Sequence, residues 1–313
     1  MNKFTIIPAD MFIWNKIELL QFLISNQNNH ISIDTNEEGC CAYSIGLYKL
    51  LDLFEFKSVT INTNNILEHH KKYNITGSKF FKFFNIGNNS YKEYHAWNGN
   101  AVFGAFYNRP IWHRLGLAAE LYEHKTLLNF RANPHNEDNR ALFELQKLFE
   151  VSPESAKKLL NLANNFPKQL ESSDGYTVGA TTQQHTDQLC QFYPNIFIDI
   201  VAETFVNGRT FFVTEKTVRP MLLKKPFIIM GSKNFMIYLR QMGFKTFYEY
   251  WDEDYDGFEG KNRYLKILDI IDMLAKKTPN ELEEMYKSMQ NILDHNYNLL
   301  VNQIYSKNIT HVN

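Results

Sequence analysis

Apolar positions along the chain switch repeatedly between helical and strand-like spacing. Residues 12–25 carry apolar side chains at helical intervals and predict an amphipathic helix, His30–Asp34 a short strand, and residues 41–54 a second helix. Ser58–Asn62 is rich in β-branched residues and runs into an Asn-rich turn, so it predicts the next strand. A polar, glycine-containing stretch at 94–100 interrupts the pattern, which then restarts. A strand is expected at 102–107, a helix at 111–123 with Pro110 at its start, a strand at Thr126–Phe130 and a helix at 138–150. Another helix follows from Pro153 to about residue 164, with Ser152 as its cap.

Ile196–Ala202 is apolar except for Asp199, as expected of a strand covered on both faces. A helix is expected to open at 214–223, a buried strand to follow at 226–230, and a helix at 234–242 to close on Gly243. Residues 245–248 predict one more strand, 251–256 an acidic loop, and the chain from 262 onward is almost wholly helical. Strands alternating with helices predict an α/β fold with parallel sheets. The expected organisation is an N-terminal lobe over 1–97, a second lobe over 98–261 and C-terminal helices over 262–313.

Composition narrows this further. With 313 residues, 44% of them hydrophobic and 15% aromatic, the chain can fill two cores and is not of disordered type. Lys and Arg number 33 against 34 acidic residues, so nucleic acid and anionic lipid are disfavoured as partners. Cys40, Cys41 and Cys190 build neither a disulfide framework nor a metal knuckle, which points to a reducing, cytoplasmic setting and no metal. Neither an export signal nor a membrane span is expected. GxxxxGK[ST], GxGxxG and GxSxG elements are absent, which removes the main support for P-loop, simple dinucleotide-binding and hydrolase readings.

The stretch Val213-Thr214-Glu215-Lys216-Thr217-Val218-Arg219-Pro220 carries the most chemistry. Thr214 as N-cap would set Glu215 and Lys216 in the first helical turn, where free N–H groups and the helix dipole favour an anion such as phosphate. Lys216 adds a positive charge there, and the Glu215 carboxylate offers two acceptors suited to ribose or sugar hydroxyls. A capped helix with an ordinary first-turn Glu and an exposed Lys would carry the same residues. Pro220 should kink or shorten that helix.

Around this motif, 195–203 ending in Glu203, 212–219 and 225–231 resemble the donor-binding region of the α-1,3-fucosyltransferases and related viral and bacterial glycosyltransferase-like proteins. The segment 101–109, with Arg109, Arg114 and the helix to Leu121, also resembles that family's first donor-domain strand, loop and Arg-bearing helix. The chain departs from the pattern at Tyr107-Asn108, where the family has Ser-Asn. The resemblance implies two Rossmann-like lobes of GT-B type and a nucleoside diphosphate sugar held mainly by the second lobe. Glu215 would contact ribose or sugar and Lys216 the diphosphate, with Arg114 as a second phosphate ligand whose role Arg109 could exchange. Thr214, Arg219 and Glu203 complete the donor-side set.

Transfer to a carbohydrate or other hydroxyl acceptor, inverting and without metal or cofactor, is the activity implied. The acceptor needs a general base from the N-terminal lobe. Asp34, Glu37 and Glu38, at or just after the strand His30–Asp34, are the candidates, solvated loop carboxylates being the alternative. Asp252-Glu253-Asp254 has metal-site spacing but reads as a solvated acidic loop, and His69 and His70 read as the surface of a polar helix end. His113 reads as a helix-surface residue beside Arg114. Two further classes stay open: a nucleotide-sugar-binding protein without transfer chemistry, and a glycosyltransferase acting on hydroxymethylated DNA bases.

Overall fold

The computed structural model describes residues 1–8, 12–35, 39–77, 89–130, 139–166, 168–171 and 188–305. They form a mixed α/β structure with two parallel sheets. The first holds β1 (Asn2–Thr5), β2 (His30–Asp34), β3 (Ser58–Asn62) and β4 (Asn74–Thr76) in the order β1-β2-β3-β4. The second holds β5 (Ala101–Tyr107), β6 (Thr126–Phe130), β7 (Ile196–Ala202) and β8 (Phe227–Met230) in the order β6-β5-β7-β8. All pairings are parallel, with Ile33 opposite Ile61 in the first sheet and Phe103 opposite Ile198 in the second.

The two orders differ in a way that matters for a ligand. Strands of the first sheet follow one another in sequence. In the second, the chain leaves β5 for β6 on one side and returns to β7 on the other. In an open parallel sheet such a reversal marks the carboxyl ends of the two strands it separates, here β5 and β7, as the usual ligand position.

Helices cover the strands because their apolar faces have to be buried. The first sheet packs against α1 (Lys16–Ser25) and α2 (Leu47–Leu51) through Leu19, Leu23, Leu47 and Leu51. The second packs against α3 (Trp112–Tyr122) and α6 (Glu215–Leu222), α4 (Asn139–Val151) and α5 (Pro153–Asn161) lie on α3, and α7 (Phe235–Gln241) joins the same apolar core. β5, β7 and β8 are buried along their whole lengths, which explains sequences that are apolar apart from Asp199. Among the described residues, α8 (Gly260–Ala275), α9 (Pro279–Ser288) and α10 (Gln290–Asn298) follow, and α10 runs on into a π-helical turn over Leu299–Tyr305. Among the described residues no helix is long and apolar enough to cross a membrane.

Three expectations are corrected. Helix 41–54 shrinks to α2, because Gly46 adopts φ +75° and separates the turns before it from the helix. Residues 245–248 are not a strand: Asn296 of α10 bonds both the N–H and the C=O of Lys245, and Glu253 accepts the Phe247 N–H. Side chains thus replace a neighbouring strand. No helix forms around His69 and His70.

Carboxyl ends of the two sheets meet. The segment 205–213, which follows β7, packs on the loops that follow β2 and β3. Asn65 donates to the Arg209 carbonyl (2.9 Å) and accepts from Phe211 N–H (3.0 Å), and the Thr210 hydroxyl donates to the Gly39 carbonyl. Gly39 is required there, since a Cβ would lie 2.2 Å from Phe212 Cβ.

At the opposite end of the second sheet, Lys225 is fully buried and donates to the Ala96 carbonyl (2.7 Å) and the Tyr286 hydroxyl (3.4 Å). Burial pulls its pKa from 10.5 down to about 7. Between pH 7 and 10 the unfolded chain keeps this proton and the native chain loses it, so folding gains stability as pH rises through that window. Lys225→Met removes the term. Its stability advantage over the parent should shrink by about 3 kcal/mol between pH 7 and 10, measured by denaturant unfolding. A difference independent of pH would refute this.

Candidate functional site

The end of β7 is where the second sheet's helices are fastened. Arg114, in the first turn of α3, is 2% exposed, and its guanidinium donates through Nε (3.2 Å) and Nη2 (2.9 Å) to the Ala202 carbonyl. His113 beside it donates from Nε2 to the Glu203 carbonyl at 2.8 Å. It is fully buried rather than on the surface, and burial together with the Arg114 charge pushes its pKa well down, so it stays neutral. Arg263 of α8 repeats the device one strand over, donating to the Ile229 and Ser232 carbonyls and pairing with Asp256.

Glu203 itself is buried, and its two carboxylate oxygens serve the head of α6. They accept from the Thr214 hydroxyl (2.7 Å), the Thr217 hydroxyl (2.6 Å) and the Thr214 N–H (3.4 Å). Burial raises its pKa, opposed by the Lys216 charge and these hydrogen bonds. Thr214 also caps the helix by accepting from the Lys216 N–H at 3.2 Å, as the sequence predicts. Pro220 lies inside α6, which is eight residues long.

Glu215 and Lys216 project from this anchored turn as a partly exposed ion pair of 2.8 Å, and the Lys216 ammonium also reaches the Thr214 hydroxyl at 3.2 Å. Burial opposes ionisation of Glu215, but Lys216, by charge and hydrogen bond, and Arg219, by charge, outweigh it and hold the carboxyl at about 2. Glu215 is therefore ionised near neutral pH, with a second oxygen in reserve.

Arg219 sits lower, fully within the core. It donates from Nε to the Tyr193 hydroxyl at 3.0 Å, lies over the Phe106 ring, and shares a buried network with Asp199, which accepts from the same Tyr193 hydroxyl. Its pKa is raised despite burial, chiefly through Tyr193 and Asp199. Burial lifts Asp199 to about 6. Among the described residues, Arg109, in the bend after β5, and Arg209, in the segment after β7, are exposed arginines at this sheet edge.

Sequence spacing did not reveal the latch built from Glu203, Thr214 and Thr217, since its members are 11 and 14 residues apart and each alone is an ordinary polar residue. Of the residues singled out on the N-terminal side, Asp34 ends β2 nearly buried and pairs with Lys3 of β1 at 2.5 Å. Glu37 and Glu38 lie outside the described residues. Glu253 is not a solvated loop carboxylate: it is buried and accepts from Arg240 and the Phe247 N–H, each at 2.8 Å. No group of three or more His, Cys, Asp or Glu is placed to hold a metal ion among the described residues.

No protein-family model, curated protein or solved structure matches the chain.

Proposed function

We propose that the chain is a GT-B-type glycosyltransferase that moves a sugar from a nucleoside diphosphate to an acceptor hydroxyl, inverting and without a metal. One observation carries this reading: the capped head of α6, with Lys216 and an ionised Glu215, stands beside the β5/β7 switch point, on the edge where the two parallel sheets meet. Glycosyl transfer builds negative charge on the departing diphosphate, and a fixed cation there stabilises the transition state more than the ground state. Lys216 supplies that charge, aided by α6's first-turn N–H groups and by Arg109. Glu215 turns its acceptor oxygens to ribose or sugar hydroxyls as the diphosphate takes over Lys216. Glu203, Thr214, Arg114 and Arg219 act from behind, holding the turn and the strand end in place.

Two of the arginines that could face a diphosphate are committed to the fold, which favours a second reading of nucleotide-sugar binding without transfer. A panel of UDP-, GDP-, ADP-, CDP- and TDP-sugars separates the two. Release of the nucleoside diphosphate from one donor, faster with an added hydroxyl acceptor, is the expected result. Binding without release identifies the second reading, and no binding at all removes both.

A further inference from the structure

A cavity of about 630 Å³ lies beside the edge strand β4 and the carboxyl end of β3, away from the donor-side residues. Thr63, Asn65, His69, His70, Asn74 and Thr76 are among the residues lining it, and among the described residues no lysine or arginine lines it. Its size suits a small molecule of one or two rings. Its chemistry is hydroxyl, amide and imidazole. The carboxylate on its wall, Glu68, has both oxygens occupied, by the Tyr48 hydroxyl (2.7 Å) and by the Ala42 N–H (3.0 Å) and Asn65 amide (3.3 Å).

The two histidines are set in opposite tautomers. His69 Nδ1 is 3.2 Å from the Leu67 carbonyl, so in the neutral ring the proton sits there and Nε2 is an acceptor. His70 Nδ1 accepts the Lys72 N–H at 3.2 Å, so its Nε2 carries the proton and donates. The His70 ring is also held by stacking on Tyr48 (centroids 4.2 Å) and Tyr73 (4.7 Å). Those rings are fixed in turn, Tyr48 by Glu68 and Tyr73 by Asp52 at 2.6 Å. A donor and an acceptor on adjacent residues, pre-set by these contacts, match a ligand whose every polar group both gives and accepts a hydrogen bond. A polyhydroxylated ring is such a ligand. A phosphate or carboxylate would meet no cation among the lining residues.

We propose that this cavity binds a neutral saccharide, with His69 as hydrogen-bond acceptor and His70 as donor. Calling that saccharide the acceptor of the transfer rests on the glycosyltransferase reading; its binding does not.

The test is titration of the full chain with methyl glycosides of glucose, galactose, mannose, xylose and N-acetylglucosamine, followed by saturation-transfer NMR. At least one should bind, and His69→Ala should weaken it by about tenfold. His70→Phe, which keeps the stacking and removes the N–H, should do the same, while Lys216→Ala leaves it unchanged. Glucose 6-phosphate should bind no tighter than methyl glucoside. No binding at tens of millimolar, an affinity equal to the parent's in either histidine variant, loss on Lys216→Ala, or preference for the phosphate would each overturn the proposal. If the variants do not fold, long-range ¹H–¹⁵N spectra of the parent decide: a proton on Nδ1 of His69 and on Nε2 of His70 supports it, and one shared tautomer overturns it. Nucleotide binding is measured separately, so failure here leaves the donor-site reading standing, and the reverse.

Discussion

Replacing Lys216 with alanine is expected to slow nucleoside diphosphate release from the preferred donor by roughly 10²–10³-fold, the usual effect of removing one fixed group that meets developing charge. Stability should fall by about 2 kcal/mol, because the largely buried Glu215 carboxylate loses its main counter-charge. Among the described residues the Lys216 ammonium bonds Glu215 and Thr214, both in its own turn, so the fold itself should be kept. Lys216→Arg keeps the charge and should retain part of the rate. Equal turnover in Lys216→Ala and the parent would remove Lys216 from the chemistry.

Glu203→Ala should have the largest effect on folding. It deletes the acceptor of two buried hydroxyls and a backbone N–H, and so frees the head of α6 from the end of β7. Leaving such donors buried without partners costs about 3 kcal/mol. Glu203→Gln keeps an acceptor oxygen in the same volume and should cost about 1 kcal/mol. Denaturant unfolding measures both. Donor affinity should fall in Glu203→Ala along with stability, because the turn bearing Lys216 is no longer positioned. A stable Glu203→Ala variant would show that the first turn of α6 is held by its other contacts.

Much of the framework was legible because local signals agreed with the tertiary fold. β2, β3, β6 and β7 fall on the residues expected to be strands, β3 from its β-branched content and flanking turn and β7 from its apolar run. Two strands left no trace: β1 has one large apolar residue in Asn2–Thr5, and β4 is three residues long. Their pairing is decided by the neighbouring strand, not by their own sequence. The false strand at 245–248 has the opposite cause. Its Lys-Thr-Phe-Tyr sequence is made largely of strand-forming residues, but Asn296, 51 residues later, takes the backbone groups of Lys245 that a strand partner would need.

At the candidate site, the cap at Thr214 was legible because a cap is a local device. The burial of Arg114 and His113 was not. α3 is buried nearly all round, so its periodicity offers no exposed face against which a buried cation could be recognised. Arg114 and Arg109 are five residues apart, and only the position of the Ala202 carbonyl tells them apart.

The most direct test is a crystal structure of the chain soaked with the nucleoside diphosphate that binds it most tightly. The account predicts diphosphate oxygens within hydrogen-bond distance of Lys216 Nζ and the first N–H groups of α6, with Glu215 turned to the ribose. A nucleotide bound elsewhere, with the Glu215–Lys216 pair intact, would contradict it.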